Sequence, residues 1–183
     1  MPLTRHTFPF ALLLGLVLIA SDGAARTGDL GKDPIDLVKV YLSLDSRGAR
    51  LDSMSWESLR PYVNWREEPA WGHMVVIESY EVVDDIKRWD VISNIEVLIP
   101  VEFRALGSVY WNTAGFLPEK RVEQVKFRIK AVNSRWKIME PMLPPHVSQK
   151  RLINHVREAA LEEADSVRRQ TLETLADDLR KAN

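Results

Sequence analysis

The chain has 183 residues, with 25 lysines and arginines against 26 aspartates and glutamates, a formal net charge of −1 and no cysteine. This balanced charge argues against a surface for nucleic acid or for an anionic membrane, because either would need a basic excess. The absence of cysteine excludes disulfides, a cysteine nucleophile and a lipoprotein attachment site.

The first 25 residues have the features of an export signal. Arg5 gives a weakly positive start, residues 11–20 (ALLLGLVLIA) are all apolar or glycine, and residues 23–25 (GAA) suit a signal peptidase. With its flanking phenylalanines the apolar run spans about 13 residues, or about 20 Å of helix, against about 30 Å of bilayer hydrocarbon. We therefore expect cleavage after Ala25 and a periplasmic or secreted protein without a stable membrane span. An uncleaved membrane anchor is the alternative.

Residues 26–32 are interpreted as a linker, and residues 33–146 as one α+β domain. Asp33 as N-cap and a proline at the first helical position predict an amphipathic helix that runs to Leu51. A second, shorter helix is predicted over Ser55 to Val63. The domain therefore begins with two helices.

Four runs with the composition and period of β-strands follow, at residues 73–86, 91–111, 122–132 and 135–139. Asn133-Ser134 is a compact turn that makes the last two runs an antiparallel hairpin. Apolar and polar residues alternate in the second and third runs, which is typical of an antiparallel sheet covered by helices on one side. The residues in the inward phase are Ile95, Val97, Ile99, Val101, Phe103, Val125, Phe127 and Ile129.

The last segment, residues 147–183, is predicted to be one long helix capped by Ser148 and ending near Lys181. An unbroken helix of that length would measure about 50 Å and overhang a domain about 35 Å across. Its apolar stripe is narrow and rich in alanine, and it lacks the sustained heptad of a coiled coil. The pattern favours a solvated arm or a partner-binding helix.

The order of elements over residues 33–146 resembles the nuclear transport factor-like superfamily. The resemblance rests on two N-terminal helices and a strongly curved antiparallel sheet of long strands that closes in a hairpin ending at residues 135–141 (RWKIMEP). It implies a cone, in which the sheet wraps around the helices and leaves a pocket at the wide end. Members include ketosteroid isomerase, scytalone dehydratase, limonene epoxide hydrolase, transport adaptors and exported domains, so the resemblance leaves the function open.

Catalysis in such a cone would need a titratable group on the inner face, with a pKa moved by burial or by a neighbour. Strand alternation places nearly every ionisable residue of the second and third runs on the wet face. Glu140 is the exception, because it shares the phase of Trp136 and Ile138. A lyase, isomerase or hydrolase that uses Glu140, or else Tyr41 or Glu81, as acid or base is therefore the alternative to a binding protein.

All six tryptophans lie within residues 33–146. The simpler interpretation is that they fill the core of a small protein without disulfides. The functional interpretation is that Trp65, Trp71, Trp111 and Phe116 surround a pocket mouth or a partner surface, because aromatic side chains in loops are costly to expose.

We therefore predict an exported binding module without catalytic residues, which holds an apolar small molecule in the cone or binds an envelope protein through aromatic loops and the C-terminal helix. No metal or other cofactor is expected, because the histidines lack ligand spacing and no phosphate-binding loop is present. The sequence does not distinguish a monomer from a homodimer built on the outer sheet face. The candidate ligand-binding residues are Tyr41, Trp65, Trp71, Ile99, Val101, Phe103, Phe127, Trp136 and Glu140. The candidate partner-binding residues are Trp111, Phe116, Leu172, Leu175 and Leu179.

Overall fold

The computed structural model describes residues 33–51 and 55–182, so the predicted leader and linker lie outside the described residues. Within that range the chain is α+β, with three α-helices and a strongly curled mixed sheet shaped like a half-barrel. The helices are α1 (Pro34–Ser46), α2 (Gln149–Glu162) and α3 (Ser166–Lys181). The strands are β1 (Met74–Val82), β2 (Asp90–Ser93), β3 (Glu96–Tyr110), β4 (Gly115–Val132), β5 (Arg135–Glu140) and β6 (His146–Ser148).

The first helix begins where the sequence predicts. The Asp33 side chain accepts a hydrogen bond from the backbone N–H of Ile35 at 3.1 Å and so caps α1. The helix ends at Ser46 instead of Leu51, because Gly48 adopts a positive φ of 86° in the turn that follows. The second predicted helix is reduced to a 3-10 turn over Ser55–Ser58.

The predicted second strand is two strands. A turn at Asn94 and Ile95 separates β2 from β3, which leaves Ile95 exposed in the turn and not on the inner face. Glu96, assigned to the wet face, is buried and forms ion pairs with Arg128 and Lys130. From residue 97 to 103 the predicted inward phase is correct.

The sheet is mixed, and not purely antiparallel as predicted. Its order is β5-β4-β3-β1-β6, with β2 beside β3, and β6 lies parallel to β1. The other strand pairs are antiparallel. Beyond β5 the sheet edge is hydrogen-bonded to the segment around Val63, through Asn64 N–H to the Ile138 carbonyl and Ile138 N–H to the Tyr62 carbonyl, each at 2.9 Å.

A short link between the two sheet edges explains why the sheet must curl. Glu140 at the end of β5 is level with Leu98 of β3, and His146 of β6 is level with Ser108, which is 108 − 98 = 10 residues further along. Ten residues of straight strand measure about 33 Å. The link of residues 141–145, which we call the strap, reaches at most about 21 Å over its six Cα steps. Only a bent sheet brings the two ends within that reach.

Two cores lie on opposite faces of the sheet. On the concave face α1 packs against the inward residues of β3, β4 and β5, as expected. On the other face α2 and α3 cover the end of the sheet that includes Val76, Leu106 and Val109. The predicted one-sided cover is therefore wrong at this end, where both faces of the sheet are dry.

The predicted single C-terminal helix is broken at residues 163–165, where Asp165 caps α3 by accepting a hydrogen bond from Arg168 N–H at 2.7 Å. The second half turns back, and Gln149 at the start of α2 donates to the Leu179 carbonyl near the end of α3 at 2.6 Å. The two helices thus form an antiparallel hairpin on the sheet, and no 50 Å helix overhangs it. Three of the residues predicted to bind a partner are buried in the outer core, so that prediction is wrong for them: Leu172, Leu175 and Leu179.

Gly107 is expected to be intolerant of alanine. It lies at an irregularity in the β3–β4 pairing with φ of 155°, and an added Cβ would come within 2.3 Å of the Leu117 carbonyl oxygen. We expect Gly107→Ala to lower the free energy of unfolding by about 1–3 kcal/mol through strain and overpacking. Gly72→Ala is the control, because a Cβ there meets nothing within 4 Å. Equal urea midpoints for the two variants would contradict the expectation.

Candidate functional site

The concave side of the sheet holds no apolar cavity at the predicted pocket residues. Tyr41, Ile99, Val101, Phe103 and Phe127 are each at most 1% exposed, so no space that admits water touches them. Their rings pack on one another, with centroids 6.1 Å apart for Tyr41 and Phe127 and 6.5 Å apart for Phe103 and Phe127. The prediction that they line a pocket is wrong, because the protein's own side chains fill the concave side of the sheet.

Glu140 is not an inner-face carboxylate. A β-bulge in β5 directly precedes it at Met139, because Ile129 pairs with Ile138 whereas Arg128 pairs with Glu140. The extra residue turns Glu140 to the outer face, where its side chain is 68% exposed and lies 3.8 Å from an Arg128 nitrogen. Glu81 is also exposed. Neither residue can serve the predicted acid–base chemistry inside the cone.

Trp65 and Trp136 belong to the core, which is the simpler of the two interpretations. The Trp65 indole N–H donates to the Met139 carbonyl at 3.2 Å, and its ring stacks on Trp56 with centroids 5.8 Å apart. Trp136 is half-buried against the inner core. Phe116 packs against the outer core instead of a shared pocket mouth.

A cleft of about 510 Å³ lies beside the start of β1, between the segment that precedes this strand, the turn after β3 and α2. This size is typical of small-molecule sites. Two residues singled out from the sequence, Trp71 and Trp111, line it together. The residues on which its chemistry depends are Arg50, Glu68, Trp71, His73, Trp111 and His155.

A buried ion pair lies behind the cleft. Arg50, whose side chain is 0% exposed, donates from Nε and Nη2 to the two oxygens of Asp45 at 2.8 and 2.7 Å. It also donates to the strap, to the carbonyls of Leu143 at 2.7 Å and Pro144 at 3.1 Å. Burial opposes the charge of Arg50, but Asp45 offsets this and the guanidinium pKa is raised. The pair fixes the end of α1 to the strap.

Glu68 faces the cleft and forms fewer and longer polar contacts than Asp45 does. Its Oε1 lies 3.5 Å from Arg50 Nη1, and the Trp71 indole N–H also lies close to the carboxylate. The side chain is 20% exposed. Burial raises the pKa of Glu68, and Arg50 only partly counters this because Asp45 adds a second negative charge.

Two buried polar atoms near this carboxylate have no hydrogen-bond partner within residues 33–51 and 55–182. One is Trp71 Nε1, whose N–H is close enough to Glu68 to favour the ionised carboxylate but forms no well-aligned hydrogen bond. The other is the Tyr41 hydroxyl, whose pKa is raised by burial and which lies in the field of Arg50. Unsatisfied buried groups are uncommon in folded proteins and point to a strained or functional region.

The C-terminal hairpin builds the opposite wall. The Trp111 ring stacks on His155 of α2 with centroids 5.0 Å apart. Arg168 of α3 donates to the carbonyls of Trp111 at 2.7 Å and Asn112 at 3.0 Å. The helices predicted to form a free arm therefore position one aromatic side of the cleft.

A larger groove of about 870 Å³ runs between α2 and α3. Its charged side chains are solvated and largely engaged with one another or with the backbone, as when Arg169 donates to the Glu163 carbonyl at 3.0 Å and Arg180 pairs with Asp177. In the described part of the chain, the buried polar atoms without partners lie beside the smaller cleft instead. We therefore take the smaller cleft as the candidate site.

His146 is held away from the cleft. Its ring contacts Phe103 at 4.4 Å, its Nδ1 donates to the Pro144 carbonyl at 2.7 Å, and its Nε2 lies 3.5 Å from Glu123. The His146 contact, followed by that of Arg121, lowers the pKa of Glu123 to about 2. This arrangement anchors β6 to β4.

Among the described residues, no three histidine, aspartate or glutamate side chains come together as a metal site would require. In the same residues no helix is long and apolar enough to cross a membrane. Comparison of the chain with protein-family models, curated proteins and solved structures finds no match. The function is therefore inferred from the residues of the cleft.

Proposed function

We propose that the protein is a non-catalytic binding module that holds a small ligand in the cleft between Glu68, Trp71, Trp111 and His155. One observation carries the proposal: aromatic walls border the partly exposed Glu68 carboxylate and the buried Trp71 indole N–H, which has no well-aligned hydrogen-bond partner within the described chain. Leaving a buried N–H unpaired costs about 1–3 kcal/mol, and a ligand that satisfies it recovers that energy. Apolar walls with a few convergent polar groups are typical of ligand sites.

The proposal relocates the ligand from the cone to its rim. The cone interior is filled, so the apolar inner face stabilises the fold and does not select the ligand. The alternative of a lyase, isomerase or hydrolase loses its main residue with the exposure of Glu140. Acid–base catalysis needs a titratable group within reach of the substrate and a partner that orients it.

The finer fold assignment and the cellular location belong to the same proposal. A nuclear transport factor-like cone is supported by α1 on the concave side of a curled sheet that ends in the β4–β5 hairpin. Export to the periplasm or the medium is supported by the leader-like residues 1–25. Such a module would meet a small molecule or an envelope protein there.

A fragment screen tests the binding function. The purified protein is exposed to a library of cationic, neutral and anionic fragments, and binding is followed by ligand-observed NMR. We expect saturable hits that weaken at least about ten-fold, or about 1.4 kcal/mol, in Trp71→Ala. Trp89→Ala is the matched control, because Trp89 is a half-buried tryptophan that donates to the Val83 carbonyl and does not line the cleft. A screen without saturable hits, or hits that Trp71→Ala leaves unchanged, would refute the proposal.

A further inference from the structure

Among the described residues, three carboxylate and guanidinium groups lie in or directly behind the cleft. Arg50 contributes one positive charge, and Asp45 and Glu68 contribute one negative charge each, which gives +1 − 2 = −1. The excess negative charge lies on Glu68, because Asp45 accepts hydrogen bonds of 2.8 and 2.7 Å from Arg50 whereas Glu68 is 3.5 Å away from it.

Arg50 cannot provide the countercharge for an anionic ligand. Its five N–H groups are directed at Asp45, Glu68 and the strap carbonyls, and its side chain has no exposed surface. Two further arginines of the C-terminal hairpin are also engaged: Arg151 with the Arg47 carbonyl and Glu158, and Arg168 with the turn after β3. In the part of the chain that the structure describes, Arg50, Arg151 and Arg168 are therefore already engaged, and an anion in the cleft would face the Glu68 carboxylate.

A neutral ligand would fit the cleft less well than a cation. Covering Glu68 with an uncharged body removes the remaining water from an ionised carboxylate and puts nothing in its place. A cation beside Oε2 replaces that water and restores the balance of charge. The same cation would lie in a cleft lined by Trp71 and Trp111, and aromatic rings attract positive charge through their quadrupoles.

We infer that the ligand of this cleft is an organic cation, a protonated amine or a quaternary ammonium group carried on an apolar or aromatic body. The inference rests on the proposed binding function and names the chemical class of its ligand. The carboxylate of Glu68 takes the charged head, and the aromatic walls take the body. A volume of about 510 Å³ accommodates a molecule of that kind.

Three probes of similar size and different charge test the inference: benzylammonium, benzyl alcohol and benzoate. We expect calorimetry or NMR titration to show the cation binding at least about ten-fold more tightly than either of the others. Glu68→Gln should reduce the affinity of the cation to that of benzyl alcohol and leave benzyl alcohol within about two-fold of its original value. Glu67→Gln removes the same charge from the exposed neighbouring residue and should change cation binding by less than about two-fold.

The outcomes separate this inference from the proposed function. Equal affinities for the cation and benzyl alcohol, or tighter binding of benzoate, would overturn the cationic class while leaving the cleft a binding site. Absence of cation binding up to about 10 mM would also overturn it. In that case, fragment hits that depend on Trp71 would still support the binding function. If Glu68→Gln does not fold, the ranking of the three probes on the unchanged protein decides the question.

Discussion

Replacing Asp45 by asparagine is expected to lower the free energy of unfolding by about 3–5 kcal/mol, which is a large part of the 5–15 kcal/mol typical of a folded domain. The change keeps the shape of the side chain but leaves the buried Arg50 guanidinium with only the longer Glu68 contact, at 3.5 Å, as its countercharge. It also weakens the acceptor of the His146 backbone N–H, which lies 3.1 Å from Asp45 Oδ2. Urea unfolding followed by tryptophan fluorescence measures the loss.

A matched control lies on the same helix. Asp36 is exposed in the first turn of α1, so Asp36→Asn should cost less than about 1 kcal/mol, from the helix dipole alone. The combination of Asp45→Leu with Arg50→Met should recover much of the loss, because removing both charges leaves neither of them unpaired. A loss for Asp45→Asn no greater than that for Asp36→Asn would contradict the structural role of the pair.

Leu175→Ala is expected to lower the free energy of unfolding by about 2–5 kcal/mol, because Leu175 is 1% exposed in the outer core. Leu161→Ala makes the same chemical change on α2 at a side chain that is 86% exposed, and should cost less than about 0.5 kcal/mol. A solvated or partner-binding arm would instead make both changes nearly neutral. Parallel urea titrations of the two variants decide between these expectations.

The parts of the fold that were predictable have local signals. Asp33 before a proline marks the start of α1, and α2 starts after Ser148 as expected, although the Ser148 side chain forms no capping hydrogen bond. Asn133 and Ser134 both adopt positive φ in the β4–β5 turn, which suits the short polar side chains that indicated it. Each of these features depends on a few neighbouring residues and little else.

The parts that were missed depend on contacts between distant segments. No glycine or proline marks the break at residues 163–165, and α3 turns back because Leu172, Leu175 and Leu179 gain burial against the sheet. Likewise, no residue type reports the bulge that turns Glu140 outward. Alternation along a strand predicts side-chain direction only where its pairing is regular, and here Met139 is an extra residue in β5 opposite β4.

Only part of the candidate site was predictable, because its other residues depend on contacts between distant segments. Trp71 and Trp111 attract notice as aromatic residues in loops, and both line the cleft. Glu68 reads as a solvated loop carboxylate, because its desolvation comes from a fold that also buries Arg50. The interaction that positions Arg50 reaches the strap 93 residues away at Leu143. Such a contact leaves no trace in local spacing.

The curled sheet closes part of its own edge against self-association. The outer side of β5 is hydrogen-bonded to the segment around Val63, and β6 covers the outer side of β1 over residues 75–77. Within the described residues, the sides without a partner strand include β2, which carries an ion pair from Asp90 to Lys126 at 2.7 Å, and β4 before Arg128, where Arg121 pairs with Glu119 and Glu123. Charged edges resist pairing with other chains. The protein thus limits edge-to-edge aggregation in two ways, by covering some strand edges with its own segments and by placing ion pairs on others.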